Sequence, residues 1–262
     1  MDFFDINKKI KWNLDVLPAL KEGKQYVMVM EFFTGTPALD DTAANLSDIA
    51  YTTAYDDRIN RFADQIIQRG NSPNIWIRPL HEMNGNWYSW GVFRKGNDNQ
   101  KGLYIDAFRK VHKMMRKRGV AAKFQLAYNC NTNPDEGFHA FSEWYPGPEY
   151  VDMVVCSGYN RAGVSGRDYW VTFTEMFTNG YNQMLTLPDN KPLGLGETGS
   201  SAWKDYDRAQ WITDAFNDLY FKFTRVAQVD WFFHNKAPVS GDWGLSKPKE
   251  IKAFSESVLE YS

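Results

Sequence analysis

The chain has 262 residues, a length that fits one large α/β domain, because single α/β barrels commonly run to about 250 residues. Its 30 basic and 32 acidic residues leave a formal charge of −2, which provides no attraction for nucleic acid or for an anionic membrane surface. No stretch approaches the roughly 18 apolar residues of a transmembrane helix. Composition therefore favours neither a nucleic-acid-binding nor a membrane-spanning protein.

Strand-like and helix-like patterns alternate along the whole chain. Apolar, β-branched runs predict strands over residues 3–6, which is the weakest, and over residues 25–33, 74–80, 121–129, 151–158, 192–197 and 226–233. Amphipathic patterns predict helices over residues 14–21, 55–69, 99–118, 169–187, 206–223 and 247–259. This alternation is typical of a parallel sheet covered by helices. No linker or internal repeat interrupts it, so residues 1–262 are predicted to form a single domain.

Polar and aromatic residues gather after the predicted strands. They occupy residues 34–36, 83–91, 129–133, 159–161, 198–200 and 234–236. Such groups at one edge of an apolar parallel sheet describe the mouth of a (β/α)8 TIM barrel, where active sites lie, and an open doubly wound sheet is the alternative. Aromatic residues reach 16% of the chain, and they suit either a large core or a groove that stacks sugar rings.

Two acidic residues are candidates for chemistry at this mouth. Glu82 and Glu197 each end an apolar strand and precede a turn of small or polar residues, and the chain between them is long enough for three strand-helix units. That separation would place them on the fourth and seventh strands of a barrel. Two carboxyl groups that face one cleft are the minimum set for glycoside hydrolysis. Either glutamate alone could instead be a salt-bridge partner or a turn cap.

Other reactive residue types show weaker patterns. Cys130 and Cys156 lie near the ends of successive predicted strands, so a bridge is geometrically possible, but two buried free thiols are the favoured interpretation. None of the four histidines has metal-ligand spacing, so neither a metal nor another cofactor is expected. The glycine pattern at residues 194–199 fits a dinucleotide-binding loop poorly, because its glutamate would face a pyrophosphate.

One motif resembles a known family. The octapeptide Arg78-Pro79-Leu80-His81-Glu82-Met83-Asn84-Gly85, followed by Trp87 and Trp90, closely resembles the acid/base signature of glycoside hydrolase family 26, a (β/α)8 family of clan A. Three later segments resemble family elements in the same order. Residues 152–160 resemble the sixth strand with its tyrosine, residues 191–197 the seventh with its nucleophile, and residues 229–232 the eighth with its tryptophan. The resemblance covers about residues 12–245.

This resemblance implies a retaining mechanism. Glu82 would protonate the leaving oxygen and Glu197 would attack the anomeric carbon, with the two carboxyl groups about 5 to 5.5 Å apart. In the resting protein Glu82 would be protonated and Glu197 ionised.

The resemblance also implies a set of residues around the sugar. They are His81 and Trp87 beside the attacked sugar, Trp231 as its floor and Tyr159 as a donor to Glu197. Apart from the resemblance, Arg78 is a candidate as an inward-pointing cation, because it lies four residues before Glu82 on the same strand face. Trp90, Trp144 and His139 are further candidates, for outer subsites.

The N-terminal part and one turn depart from the family pattern. The strand at residues 25–33 resembles the third strand of the family, so the barrel is predicted to lack its first strand or to have an atypical one. After Glu197 this chain has Thr198-Gly199, where the family usually has an aromatic or apolar residue followed by glycine.

The implied partner is a β-linked polysaccharide or oligosaccharide. β-1,4-Mannan is the first expectation, with mixed-linkage β-1,3-1,4-glucan, β-1,3-xylan and an exopolysaccharide as rivals, and a non-catalytic glycan-binding barrel is the alternative of another class. The protein is expected to act as a monomer. It is expected to be secreted or displayed at the cell surface, although residues 1–5 do not resemble a signal peptide.

Overall fold

A computed structural model of the chain describes residues 1–32, 45–131, 137–164, 166–236 and 241–261. Its centre is one parallel sheet of seven strands in sequential order, each paired with the next. The strands are β1 (Asp2–Asp5), β2 (Tyr26–Glu31), β3 (Ile75–Pro79), β4 (Lys123–Asn129), β5 (Met153–Asn160), β6 (Leu193–Ser200) and β7 (Val226–Trp231). All seven predicted strands are therefore confirmed, including the weakest, β1.

Seven α-helices lie between and after the strands in the described part of the chain. They are α1 (Val16–Lys21), α2 (Leu46–Tyr51), α3 (Asp56–Gly70), α4 (Lys101–Lys117), α5 (Phe173–Leu185), α6 (Arg208–Phe221) and α7 (Pro248–Tyr261), and the 3₁₀ turns are Phe141–Trp144, Pro148–Tyr150 and Pro188–Asn190. Six of the helices were predicted. The sequence analysis missed α2, although α1, which is equally short, was predicted. None of the described helices is long and apolar enough to cross a membrane.

The sheet curls into an incomplete (β/α)8 barrel, in agreement with the predicted fold class. Its outer face packs on the helices, and its inner face encloses a small apolar cluster formed by Val27, Val29, Trp76, Ala127, Met153 and Val155. The edge strands approach each other through their side chains, since the rings of Phe3 and Phe232 lie 6.3 Å apart. Side chains alternate along each strand, so the inward-facing residue nearest each carboxyl end reaches the mouth.

The two cysteines form a disulfide, so the prediction of free thiols is wrong. Cys156 lies in β5 and Cys130 directly follows the neighbouring strand β4, and their Cα atoms are 5.0 Å apart, within disulfide range. Helix α5 covers the bridge closely, because a Cβ added at Gly180 would come within 2.8 Å of the Cys130 Cβ. Sequence position placed the pair at neighbouring strand ends, but only the packing shows that both face α5.

Candidate active site

The segment after β3 carries Glu82 in a strained backbone. Leu80 and Glu82 both have a φ of 53°, in the left-handed region that residues other than glycine avoid. The Glu82 amide donates to the Ala127 carbonyl oxygen of β4 at 2.8 Å, which holds the turn against the neighbouring strand. Such conformations cost of order 1–3 kcal/mol each and collect at functional sites, where they aim a side chain. Here the turn directs the Glu82 carboxyl into the barrel mouth.

The surroundings of Glu82 favour its protonated form. Trp87 Nε1 donates to one carboxyl oxygen at 2.8 Å and Asn129 Nδ2 donates to the other at 3.0 Å. Burial, followed by the charge of Glu197, raises the pKa of Glu82 to about 8, against the opposing hydrogen bonds and the Arg161 charge. A carboxyl group with that pKa is mostly protonated at neutral pH, as a general acid requires.

Glu197 lies on β6 with donors and cations around it. Tyr159 Oη donates to Glu197 Oε2 at 2.5 Å. Burial raises the pKa of Glu197, while the Tyr159 hydrogen bond and the charges of Arg78 and Lys236 lower it. Both glutamates are 7% exposed, and the charge of Glu197 acts on Glu82, so the two carboxyl groups lie within electrostatic reach of each other. Because the charges of Arg78 and Lys236 favour the ionised form of Glu197, a single proton bound by the two carboxyl groups resides on Glu82.

Arg78 lies below this pair, inside the barrel. Its guanidinium donates to the Gly196 carbonyl oxygen at 2.8 Å, to the Gln125 side chain at 2.7 Å and to Asp230 at 2.6 Å, and the side chain is fully buried. The prediction that it points inward is correct. The prediction that it binds sugar is not supported by this position, because the side chain has no surface open to a ligand. Its hydrogen bond to Gly196 holds β6, and its positive charge lowers the pKa of Glu197.

His81 and Trp87 flank Glu82 differently. His81 is almost fully buried, and its Nε2 lies 2.8 Å from Tyr88 Oη. Burial, followed by the charges of Arg78 and Lys236, holds the pKa of His81 well below its usual value, so the imidazole is neutral. The indole of Trp87 is 43% exposed while it hydrogen bonds to Glu82, which leaves an aromatic surface beside the acid. Trp87 therefore has the geometry of a sugar platform.

The structure packs three of the predicted sugar-binding tryptophans against other parts of the protein. Trp231 faces outward from β7, where its ring stacks on Phe216 of α6 at 5.8 Å and packs against Phe254 of α7, so its predicted role as a floor is wrong. Trp90 and Trp144 are fully buried, which contradicts their prediction as outer subsites.

The neighbouring side chains show what each of these residues does instead. Phe232, one residue after Trp231, faces inward and meets Tyr159 at 5.8 Å, because side chains alternate along a strand. Trp90 supports the site from behind, donating from Nε1 to the His81 carbonyl oxygen at 2.8 Å. His139 is partly exposed and lies 2.7 Å from Lys101 Nζ, so its subsite role stays a prediction.

Several residues at the mouth were missed as individual site residues. Burial, followed by the charges of Glu82, Glu197 and Glu31, raises the pKa of Tyr88. The charge of Arg161 lowers the pKa of Glu82, and the charge of Lys236 lowers that of Glu197. Arg161 and Lys236 fall within the polar segments that follow predicted strands, so their positions indicated that they lie at the mouth. The position of Glu31 gave no such indication, because it lay inside the predicted strand 25–33.

The described residues contain no group of three or more His, Cys, Asp or Glu side chains placed to hold a metal ion.

Comparison with known proteins identifies relatives of this fold and motif. The family described as Glycosyl hydrolase family 26 matches residues 8–189, which include Glu82 but end before Glu197. Endoglucanase H of Acetivibrio thermocellus is 32% identical over 202 residues, which are 76% of this chain and 21% of that protein. A mannan endo-1,4-beta-mannosidase of Bacillus subtilis is 29% identical over 147 residues, which are 55% of this chain and 36% of that protein. This chain thus spans between a fifth and two fifths of these curated relatives.

Solved structures share the fold at low identity. The catalytic domain of a Bacillus sp. JAMB-750 endo-beta-1,4-mannanase superimposes with a TM-score of 0.63 at 20% identity, covering 92% of this chain and 67% of that one. The family 26 domain of a Prevotella bryantii endo-beta-mannanase/endo-beta-glucanase gives 0.66 at 15% identity, covering 98% and 80%. At these identities the likeness establishes the barrel architecture.

Proposed function

Because the chain belongs to glycosyl hydrolase family 26, we propose that it is a retaining endo-β-glycanase that hydrolyses a β-1,4-mannan. The observation that carries this proposal is a pair of buried glutamates that interact electrostatically and have unlike surroundings. Glu82 has a pKa raised to about 8 by burial and by the charge of Glu197, whereas Glu197 lies among a hydroxyl donor and two cations. Unlike environments for two carboxyl groups separate the acid from the nucleophile.

The cleavage divides into two displacements at the anomeric carbon. Glu82 gives its proton to the glycosidic oxygen as that bond breaks, and a Glu197 oxygen forms the new bond to the anomeric carbon. Water then loses a proton to Glu82 and attacks the same carbon, which releases Glu197 and restores both groups. The Tyr159 hydroxyl, 2.5 Å from Glu197 Oε2, holds that carboxylate in one orientation. The exposed indole of Trp87 offers the sugar an apolar face beside the acid.

The relatives support two substrates. Relatives named as mannan endo-1,4-beta-mannosidases, in two Bacillus subtilis sequences and others, favour mannan. A β-glucan is the second candidate, because Endoglucanase H matches a larger share of this chain at higher identity than the Bacillus subtilis mannosidase does. A polymer of either kind cannot enter a cell intact, so we also propose that the protein acts outside the cell.

Product analysis on a panel of polymers tests this proposal. Mannan, barley glucan and β-1,3-xylan are incubated with the protein, reducing ends are counted, and the anomeric form of fresh product is followed by NMR. We expect release from mannan, with the β-anomer formed first and the α-anomer appearing only by mutarotation. Formation of the α-anomer first would contradict the retaining mechanism. Preferred cleavage of barley glucan would replace mannan by the second candidate, and inactivity on every polymer would contradict both.

A second test concerns the aromatic platform. A Cβ added at Gly85 would lie 2.5 Å from the Trp87 ring, so Gly85→Ala must displace the indole from Glu82. We expect kcat/KM to fall about tenfold, the scale of one lost hydrogen bond near 1–1.5 kcal/mol. Gly102→Ala is the matched control, because a Cβ at Gly102 on α4 meets no atom within 4 Å. Unchanged kcat/KM in Gly85→Ala would show that Trp87 has no part in catalysis.

A further inference from the structure

A third carboxyl group, that of Glu31, stands at the mouth beside the pair already described. Strand β2 alternates between two environments, since Tyr26, Met28 and Met30 pack outward among the helices while Val27 and Val29 belong to the apolar cluster inside the barrel. The same period turns Glu31, the last residue of β2, inward above Val29. Below it the inside of the barrel is filled with the apolar cluster, so among the described residues the inward direction of Glu31 leads toward the mouth.

The charges that act on Glu31 show that it lies within electrostatic reach of Glu197, which belongs to β6 on the other side of the barrel mouth. Burial, followed by the charge of Glu197, raises the pKa of Glu31 to about 7, and Lys236 opposes this rise. Burial, followed by the charges of Glu82, Glu197 and Glu31, raises the pKa of Tyr88, so all three carboxyl groups lie within electrostatic reach of this one side chain. Lys236 in turn lies over the rings of Phe3 and Phe232 at the open edge between β1 and β7.

No structural role accounts for this carboxyl group. Among the described residues none forms a salt bridge or a hydrogen bond with the Glu31 side chain, whereas its backbone oxygen accepts from the Ile6 amide at 2.9 Å. Half-burying an acid beside another acid costs stability, and such groups concentrate where a ligand completes them. The roles of acid and nucleophile already belong to Glu82 and Glu197 in the proposed function, on which this inference rests.

We propose that Glu31 is a specificity-determining substrate-binding residue, whose carboxyl group accepts a hydrogen bond from the 2-hydroxyl of the sugar that Glu197 attacks. The 2-hydroxyl is attached to the carbon next to the anomeric centre that Glu197 attacks, so a carboxyl group that faces Glu197 across the mouth is in a position to accept from it. Hydrogen bonds to this hydroxyl strengthen in the transition state of glycoside hydrolysis. Its axial or equatorial position is also what distinguishes a mannan unit from a glucan unit, so Glu31 contributes to the choice between them.

The test combines a variant with a modified substrate. Glu31→Ala and wild type are compared on two 2,4-dinitrophenyl β-disaccharides of the preferred polymer, which differ only in whether the cleaved unit carries its 2-hydroxyl. We expect Glu31→Ala to lower kcat/KM about 100-fold on the complete substrate and less than about threefold on the 2-deoxy substrate. Glu256→Gln, which removes one negative charge from the exposed surface of α7, serves as the matched control and should match wild type on both.

The melting temperature distinguishes a substrate-binding role of Glu31 from a structural one. The raised pKa means that ionising Glu31 costs stability as the pH rises from its ordinary value through about 7, so Glu31→Gln at pH 8 is expected to melt at or above the temperature of wild type. Equal losses of kcat/KM on the two substrates in Glu31→Ala, or a melting temperature of Glu31→Gln below that of wild type, would overturn the inference. Wild type that cleaves neither the disaccharides nor any polymer would overturn the proposed function instead, so the two failures are distinguishable.

Discussion

Glu197→Ala is expected to lower the rate of polysaccharide hydrolysis about 10⁴-fold or more while substrate affinity stays within a few fold. Glu197 supplies the oxygen that bonds to the anomeric carbon, and alanine offers no atom for that bond. The partners of the lost carboxylate remain, since Tyr159 and Arg78 are held by other contacts. Reducing-end release gives the rate, and calorimetric titration with an oligosaccharide gives the affinity.

Azide identifies the missing group as a nucleophile. In Glu197→Ala a small anion can occupy the emptied space and attack an activated aryl glycoside, which yields an α-glycosyl azide. Glu256→Ala on the surface of α7 is the control and should keep the wild-type rate. Hydrolysis that survives in Glu197→Ala would contradict the proposed mechanism. Wild-type protein that binds oligosaccharide without cleaving it would favour the glycan-binding alternative.

Glu82→Ala is expected to produce a loss that depends on the leaving group. On polysaccharide the rate should fall about 10²- to 10⁴-fold, the usual contribution of a general acid. On a dinitrophenyl glycoside the first step needs no proton, so the glycosyl-enzyme should form quickly and then accumulate without a base to activate water. A burst of dinitrophenol, followed by slow turnover that azide accelerates with formation of a β-glycosyl azide, is the expected record. Equal losses on both substrates would contradict the acid role.

The pH profile gives an independent check on Glu82. Its pKa is raised to about 8 by burial and by the charge of Glu197, and the acid must be protonated to act, so wild-type kcat/KM should fall as the pH rises above about 8. Asn129→Ala removes a hydrogen bond that lowers this pKa, so the fall should move to higher pH. With the dinitrophenyl glycoside as substrate, kcat/KM of Glu82→Ala should no longer fall as the pH rises. A fall that persists there would belong to another group.

The sequence was sufficient for the strands, most of the helices and both candidate catalytic glutamates. Seven strands and six helices could be predicted because hydrophobic period and turn residues are local properties of the chain, which packing rarely reverses over a whole element. Glu82 and Glu197 could be selected because both lie near the carboxyl ends of apolar strands, and parallel strands bring those ends to one edge.

What the sequence by itself determined is the order of elements, the edge of the sheet that carries polar groups, and the residue types available there. The tertiary structure decided which of those side chains reach the cleft. Phe232 rather than Trp231 faces inward, Trp90 and Trp144 are buried, Glu31 joins the mouth, and the cysteines meet beneath α5. The physical reason is that a shift of one residue reverses the face of a strand side chain, and burial depends on neighbours that are distant in the sequence.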